Sequence, residues 1–238
     1  MKQKISLWKI ITCICVVLFG IVGCNYSLQD TDSVTVEIGE NLIFGSWQGE
    51  EIEWRVLDVK NGSVLLLSEY GLDVQQYNGT PASDIQWKDC TLRQWLNHDF
   101  YENAFSIEEK EKIQLSSSEG FPEYNSRVVG GDYQYLERET EDNVFLLTYT
   151  EVRYYFADPD GRANGSNKLR CCYPTEYAKS DPNLKTYKDA CGWWLCTGFY
   201  DSTDQCKTMI VSDLGSISLE DKSESLEYVV RPAIWVKW

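Results

Sequence analysis

The chain is poor in the side chains that most enzymes use near neutral pH. It has a single histidine, His98, and contains no Gly-x-Ser-x-Gly turn, phosphate-binding loop or dinucleotide-binding glycine pattern. Cys-x-x-Cys pairs are absent, which removes the usual spacing of a zinc site, and no metal ligand set is assigned. Basic residues are scarce: 22 Lys and Arg stand against 37 Asp and Glu, a formal net charge of −15. Lys2, Lys4 and Lys9 lie in the first 23 residues, which hold no acid, so the remainder carries 19 basic against 37 acidic residues, or −18. Such a surface repels phosphate backbones and excludes nucleic acid as a partner. The longest apolar run, residues 10–22, is shorter than the roughly 20 residues that span a bilayer. Internal repeats and low-complexity tracts are also missing. What is plentiful is apolar and aromatic side chains, 43% and 13% of residues, which excludes a disordered chain and supplies one sizeable core.

The basic start and short apolar run form an export signal. They end in Ile21-Val22-Gly23-Cys24 followed by polar Asn25. These four residues resemble a bacterial lipobox, which implies cleavage after residue 23 and diacylation of Cys24. Two acyl chains hold a protein stably on a bilayer. Residues 1–23 are therefore expected to be a lipoprotein signal peptide, 24–33 a lipidated tether and 34–238 a single domain on the extracytoplasmic face of the cell membrane. The other reading of the leader is an uncleaved signal anchor.

The domain reads as α+β: a twisted antiparallel sheet with a few short helices and long loops. Short strands are expected at 34–38 and 42–44. Residues 51–59 and 64–68 flank Asn61-Gly62, the strongest hairpin signal in the chain. Asp89 is the expected N-cap of a helix over 90–97 ending at His98, where an imidazole suits free carbonyls. Ser106-x-x-Glu109 and Thr148-x-x-Glu151 are capping boxes, and Thr175 caps a turn of helix through Ala178. A strand is expected at 144–147. Residues 116–142 read as a dispensable surface loop, with the acidic run 137–142 a solvated face. The closing runs at 192–197, 207–211 and 228–238 read as strands of one antiparallel sheet. Within the last, Pro232 marks an edge, bulge or unpaired position.

Among chemistry-bearing residues, six cysteines remain after Cys24: Cys90, Cys171, Cys172, Cys191, Cys196 and Cys206. Five of them fall in 171–206, so structural disulfides among Cys171, Cys172, Cys191, Cys196 and Cys206 are the first reading, with free buried thiols the second. Asp158-x-Asp160 invites a calcium reading, but Gly161 and Arg162 break the EF-hand order and leave an ordinary turn. Arg93 and Arg231 lie in apolar segments and must pair with carboxylates or backbone carbonyls, or with a ligand. Trp193 and Trp194 are strand neighbours facing opposite sides, so one can be exposed as a platform for a carbohydrate or peptide. Trp193, Trp194 and Arg231 are thus the candidate ligand contacts. No catalytic residue and no cofactor are assigned.

The order of blocks is distinctive. Phe44-Gly45, Trp54–Asp58, Leu65–Ser68, Thr91–Asn97, Val144–Leu147, Thr175–Ala178, Trp193–Leu195 and Val230–Ala233 together resemble the domain-of-unknown-function 6273 family of bacterial exported proteins. Cys196-Thr197 departs from the Arg-Ser that this family places after Trp-Leu. The closing pattern also resembles C-type-lectin-like domains, which implies that fold. The same resemblance brings in formylglycine-generating oxidases and their copper-thiolate pair as an enzymatic alternative. The favoured expectation is a non-enzymatic ligand- or partner-binding lipoprotein of the cell envelope, with a structural envelope role as the third.

Overall fold

Asn61 and Gly62 both adopt left-handed backbone, with φ of 53° and 75°. That is the geometry a two-residue hairpin turn needs to match strand twist. The turn joins β2 (Glu50–Lys60) to β3 (Ser63–Ser68), and β1 (Asn41–Trp47) pairs with the far side of β2. The expected strand at 34–38 does not form; the described part of it leads into a turn at 38–39. The computed structural model describes residues 35–81, 85–117, 134–136, 138–157, 165–200, 206–220 and 223–238, without the side chains of 134–136, 200 and 206. Cys24 and its leader, and Asp158 and Asp160, lie outside the described residues.

Gly45 breaks the pairing of β1 with β2 by a bulge between Ile43 and Ser46. Its φ is +72°, and a Cβ there would lie 2.6 Å from the Ala104 carbonyl oxygen. Only glycine meets both conditions. The freed Gly45 amide donates to Glu109 Oε1 at 2.8 Å. Phe44, Trp47, Trp95, Phe100 and Phe105 pack around this bend with ring centroids 5.0–5.8 Å apart.

The chain continues through β4 (Asp73–Val74) into a helix longer than expected. Helix α1 (Thr91–Trp95) passes through a π-turn at Leu96–Phe100 into α2 (Tyr101–Ala104). Its N-cap is Cys90, whose sulfur accepts the Arg93 amide at 3.4 Å, and not Asp89. His98 is exposed in the middle of this helix rather than at its end. The Ser106 capping box opens α3 (Ile107–Lys110) as expected, followed by β5 (Ile113–Gln114).

Residues 116–142 are more than a surface loop. Residues 118–133 lie outside the description, but both flanks are tied down. Ser116 bridges Asp142, and β6 (Gln134–Leu136) pairs with a later strand. Arg138 and Asp142 are each only 1% exposed. Asp142 accepts from Trp87 Nε1 (2.9 Å), Arg93 Nε (2.6 Å) and Thr140 Oγ1 (2.6 Å). Asn97 completes the clasp by accepting the amides of Asn143 and Val144 and donating to the Val144 carbonyl. Arg138 lies 3.7 Å over the Phe145 ring and donates to the Leu146 carbonyl. The acidic run is therefore buried at two positions, because its charges are paired.

Val144–Leu147 is fully buried but forms no strand; it meets the sheets through the Phe145–Ala233 bridge and through the Leu147 carbonyl, which accepts the Cys196 amide at 3.1 Å. Thr148 and Glu151 form the second capping box and open α4 (Tyr149–Tyr155). Thr175 caps α5 (Glu176–Lys179), and β7 (Thr186–Tyr187) and β8 (Ala190–Cys191) make a small hairpin. Then come β9 (Trp193–Tyr200), β10 (Cys206–Val211), β11 (Ile217–Glu220), β12 (Val229–Val230) and β13 (Ala233–Lys237).

Two main sheets result, ordered β1-β2-β3-β13-β5 and β11-β10-β9-β12-β4, with β6 on β9 beside the latter. Among the named strands every pairing is antiparallel except β12 with β9, where Val229 runs parallel to Trp193. The closing run was expected in one sheet and is instead divided between two. Val229–Val230 lies between β9 and β4, and Ala233–Lys237 between β3 and β5. Pro232 sits at the crossover, where its missing N–H costs no ladder bond, and its carbonyl accepts the Ser68 amide at 2.9 Å. Both sheets contribute to one buried cluster within Val36–Trp238, a compact α+β unit rich in antiparallel strands. Among the described residues no helix is long and apolar enough to cross a membrane.

Candidate functional site

Trp193 and Trp194 are both 0% exposed, and Arg231 is 1% exposed. Neither ring is the open platform that strand alternation allowed. The reason is position: β9 is flanked by β10 on one side and by β12 and β6 on the other, and both its faces are covered. Trp193 Nε1 donates to the Arg170 carbonyl at 3.0 Å, and Trp194 Nε1 to the Gln75 carbonyl at 2.9 Å. Arg231 donates to the carbonyls of Ser68 (2.9 Å) and Glu69 (3.3 Å), and its guanidinium lies 5.1 Å from the Trp193 ring centre. These three residues join the core, as buried aromatics and a paired buried cation do.

The thiols fall into two environments. Cys90, Cys171, Cys172, Cys191 and Cys196 are free, and no disulfide is present among the described residues. Cys90 is walled in by α1, donating to the Trp87 carbonyl at 3.3 Å, and burial pushes its pKa up to about 12. Cys172 and Cys191 face each other across an isolated antiparallel bridge, both 0% exposed; the Cys191 thiol donates to the Cys172 carbonyl at 3.5 Å and the Cys172 thiol is directed to the Tyr173 carbonyl, 3.8 Å away. Burial opposes ionisation of Cys172. The neighbouring Cys191 thiol and the Arg231 charge reverse this and hold Cys172 below its usual range, while the adjacent Cys172 sulfur, with burial, pushes Cys191 up. Trp193, Arg231, Cys172 and Cys191 are thus brought together. Cys196 stands apart, its carbonyl accepting from Tyr77 Oη. Of Cys206 only the backbone is described.

The surface feature that the residue pattern did not single out is a set of exposed tyrosines. Tyr70, Tyr173 and Tyr177 are 40%, 49% and 39% exposed. They are held by one short ladder: the Gly71 amide donates to the Tyr173 carbonyl, Thr175 returns a bond to the Gly71 carbonyl, and Gly71 bridges Pro174. Gly71 has no room for a side chain, since a Cβ would lie 2.3 Å from Val229 Cγ2. Tyr187, also exposed, stands on the adjoining β7–β8 hairpin.

Carboxylates border these rings. Glu50 Oε1 accepts the Tyr177 amide at 3.3 Å, and the charges of Asp73 and Asp181 together with burial raise the Tyr177 pKa. Asp73 accepts from Trp47 Nε1 at 2.8 Å, and burial raises its own pKa despite that bond. Beyond Asp181, Pro182, Asn183 and Lys185 border a shallow groove with residues 224–227, where Lys185 pairs with Glu227 at 2.5 Å. The available signal was spacing: Tyr70 precedes Asp73, and Tyr177 precedes Asp181, each within four residues. Among the described residues no group of three or more His, Cys, Asp or Glu is arranged to hold a metal ion.

A family model described as a domain of unknown function (DUF6273) matches residues 61–238. No curated protein and no solved structure matches the chain.

Proposed function

The chain belongs to the DUF6273 family, and from its own surface we propose that it is a non-enzymatic carbohydrate-binding module of the bacterial cell envelope, held on the outer face of the cytoplasmic membrane by an acylated Cys24. The observation that carries this reading is the row of exposed Tyr70, Tyr173 and Tyr177 beside Glu50 and Asp181. Aromatic faces take the apolar side of a sugar ring, and neighbouring carboxylates accept its hydroxyls. The charge of −18 outside the leader disfavours acidic ligands and favours neutral or amino sugars. The C-type-lectin-like likeness of the closing strands belongs to the same proposal, with the ligand contacts moved from Trp193, Trp194 and Arg231 to the tyrosine face.

The oxidase alternative needs two reduced cysteines in an open cleft. Cys172 and Cys191 are close but buried, which favours binding over that chemistry. The full-length chain applied to arrays of neutral, amino-bearing and acidic glycans, with a peptide array beside them, tests the reading. Binding to neutral or amino sugars is expected; binding to peptides alone, or to nothing, would sink it. Mass spectrometry of the amino-terminal peptide tests the anchor. A diacylated Cys24 is expected, and a mature chain starting elsewhere would remove it.

A further inference from the structure

We propose that Cys172 and Cys191 are partners in a disulfide that clamps the β7–β8 hairpin to the segment carrying Tyr173 and Tyr177. The bridge between them makes them direct cross-strand neighbours, with the Cys191 amide donating to the Cys172 carbonyl at 2.8 Å. Residues opposite each other in antiparallel pairs have Cα atoms about 4.5–5.5 Å apart. A disulfide requires about 4.4–6.8 Å. The Cys191 thiol also donates to the Cys172 carbonyl, at 3.5 Å. The other described cysteines are engaged elsewhere. Cys171 Sγ is directed to the Asn167 carbonyl, 3.9 Å away, and Cys90 is the cap of α1. Cys196 lies further along β9, and Leu147 accepts its amide.

The bond forms by exchange with an external disulfide, such as glutathione disulfide or a protein oxidant's disulfide. The Cys172 thiolate attacks one sulfur of that disulfide and expels a thiolate, leaving a mixed disulfide. Cys191 then loses its proton to the leaving thiolate and attacks the Cys172 sulfur, expelling the second thiol. Two protein thiols are oxidised and one external disulfide is reduced to two thiols. Both sulfurs are buried in the folded chain, so exchange precedes final packing of the hairpin.

The proposal does not rest on the carbohydrate reading, and it can be tested without reference to any compartment. The full-length chain is reduced, unfolded and refolded in a glutathione buffer, then alkylated and digested with trypsin. Cleavage after Arg170, Lys179, Lys188 and Lys207 isolates residues 171–179 from 189–207. These two peptides should be recovered linked, and the link should persist in Cys171→Ser and in Cys196→Ser chains. Oxidised wild type should melt about 6–12 °C above its reduced form. Recovery of Cys172 and Cys191 both alkylated, or loss of the link in either serine chain, would overturn it. Because those two chains leave the pair intact, the outcome does not depend on whether a Cys172→Ser chain folds.

Discussion

Asp142 is the residue with the most structure hanging on one side chain. Its carboxylate is fully buried and takes bonds from Trp87, Arg93 and Thr140. Truncation would leave a partly buried guanidinium and a buried indole N–H without their acceptor. Breaking such a pair costs about 3–5 kcal/mol, a large part of the usual margin of about 5–15 kcal/mol. Asp142→Ala is therefore expected to lower the unfolding free energy measured by urea titration by that amount, with Asp142→Asn intermediate. A loss below about 1 kcal/mol would show that the clasp is not structural. This residue was hard to read from sequence. Acidic runs usually face water, and the partners that make Asp142 an exception come from 49 and 55 residues away. Arg93 was easier, since a cation inside an apolar helix pattern must find a partner. Trp193 and Trp194 show the converse: alternation gave their directions, but what covers them comes from far along the chain, Tyr77 and Tyr228 on Trp194 and Arg231 over Trp193.

At the scale of elements, the parts that were legible are the ones closed by local chemistry. The Asn61–Gly62 turn and the Ser106 and Thr148 capping boxes need only neighbouring residues. The division of the closing run between two sheets was not legible, because Pro232 marks a missing donor without saying which partners lie on either side. The Ser106 box also does something its motif does not reveal. Glu109 accepts the Ser106 amide at 2.8 Å and, from another element, the Gly45 amide at the β1 bulge. Partial burial pushes its carboxyl up, but these amides outweigh burial and hold it below its ordinary value of 4.5. A lowered folded pKa adds stability that is present above pH 4.5 and is lost as pH falls through the lowered value. Glutamine offers one acceptor oxygen where the carboxylate offers two, so Glu109→Gln should cost about 1 kcal/mol, or about 2–4 °C, at neutral pH. The melting-temperature gap between wild type and Glu109→Gln should close as pH is lowered below 4.5. A gap that stays constant between pH 7 and pH 3 would show that the capping carboxylate does not link α3 to β1.

For the whole molecule, the chain divides its aromatics between two tasks. The tryptophans Trp54, Trp87, Trp193 and Trp194 are buried and organise the core, while the tyrosines at 70, 173, 177 and 187 stay at the surface on short, tightly bridged segments. Strand alternation offered the more conspicuous tryptophans as ligand contacts; they are buried, and the proposed binding face rests on the exposed tyrosines instead. The comparison that tests this most directly is titration of one glycan identified on the array into three forms of the full-length chain: wild type, Tyr173→Ala/Tyr177→Ala, and Tyr154→Ala. Tyr154 is the control because it is 60% exposed but stands on α4, outside the ladder. An aromatic contact is worth about 0.5–1.5 kcal/mol, so losing two should weaken binding by about 5- to 150-fold. The account predicts that loss for the double variant and wild-type affinity for Tyr154→Ala. Unchanged affinity in the double variant would contradict it.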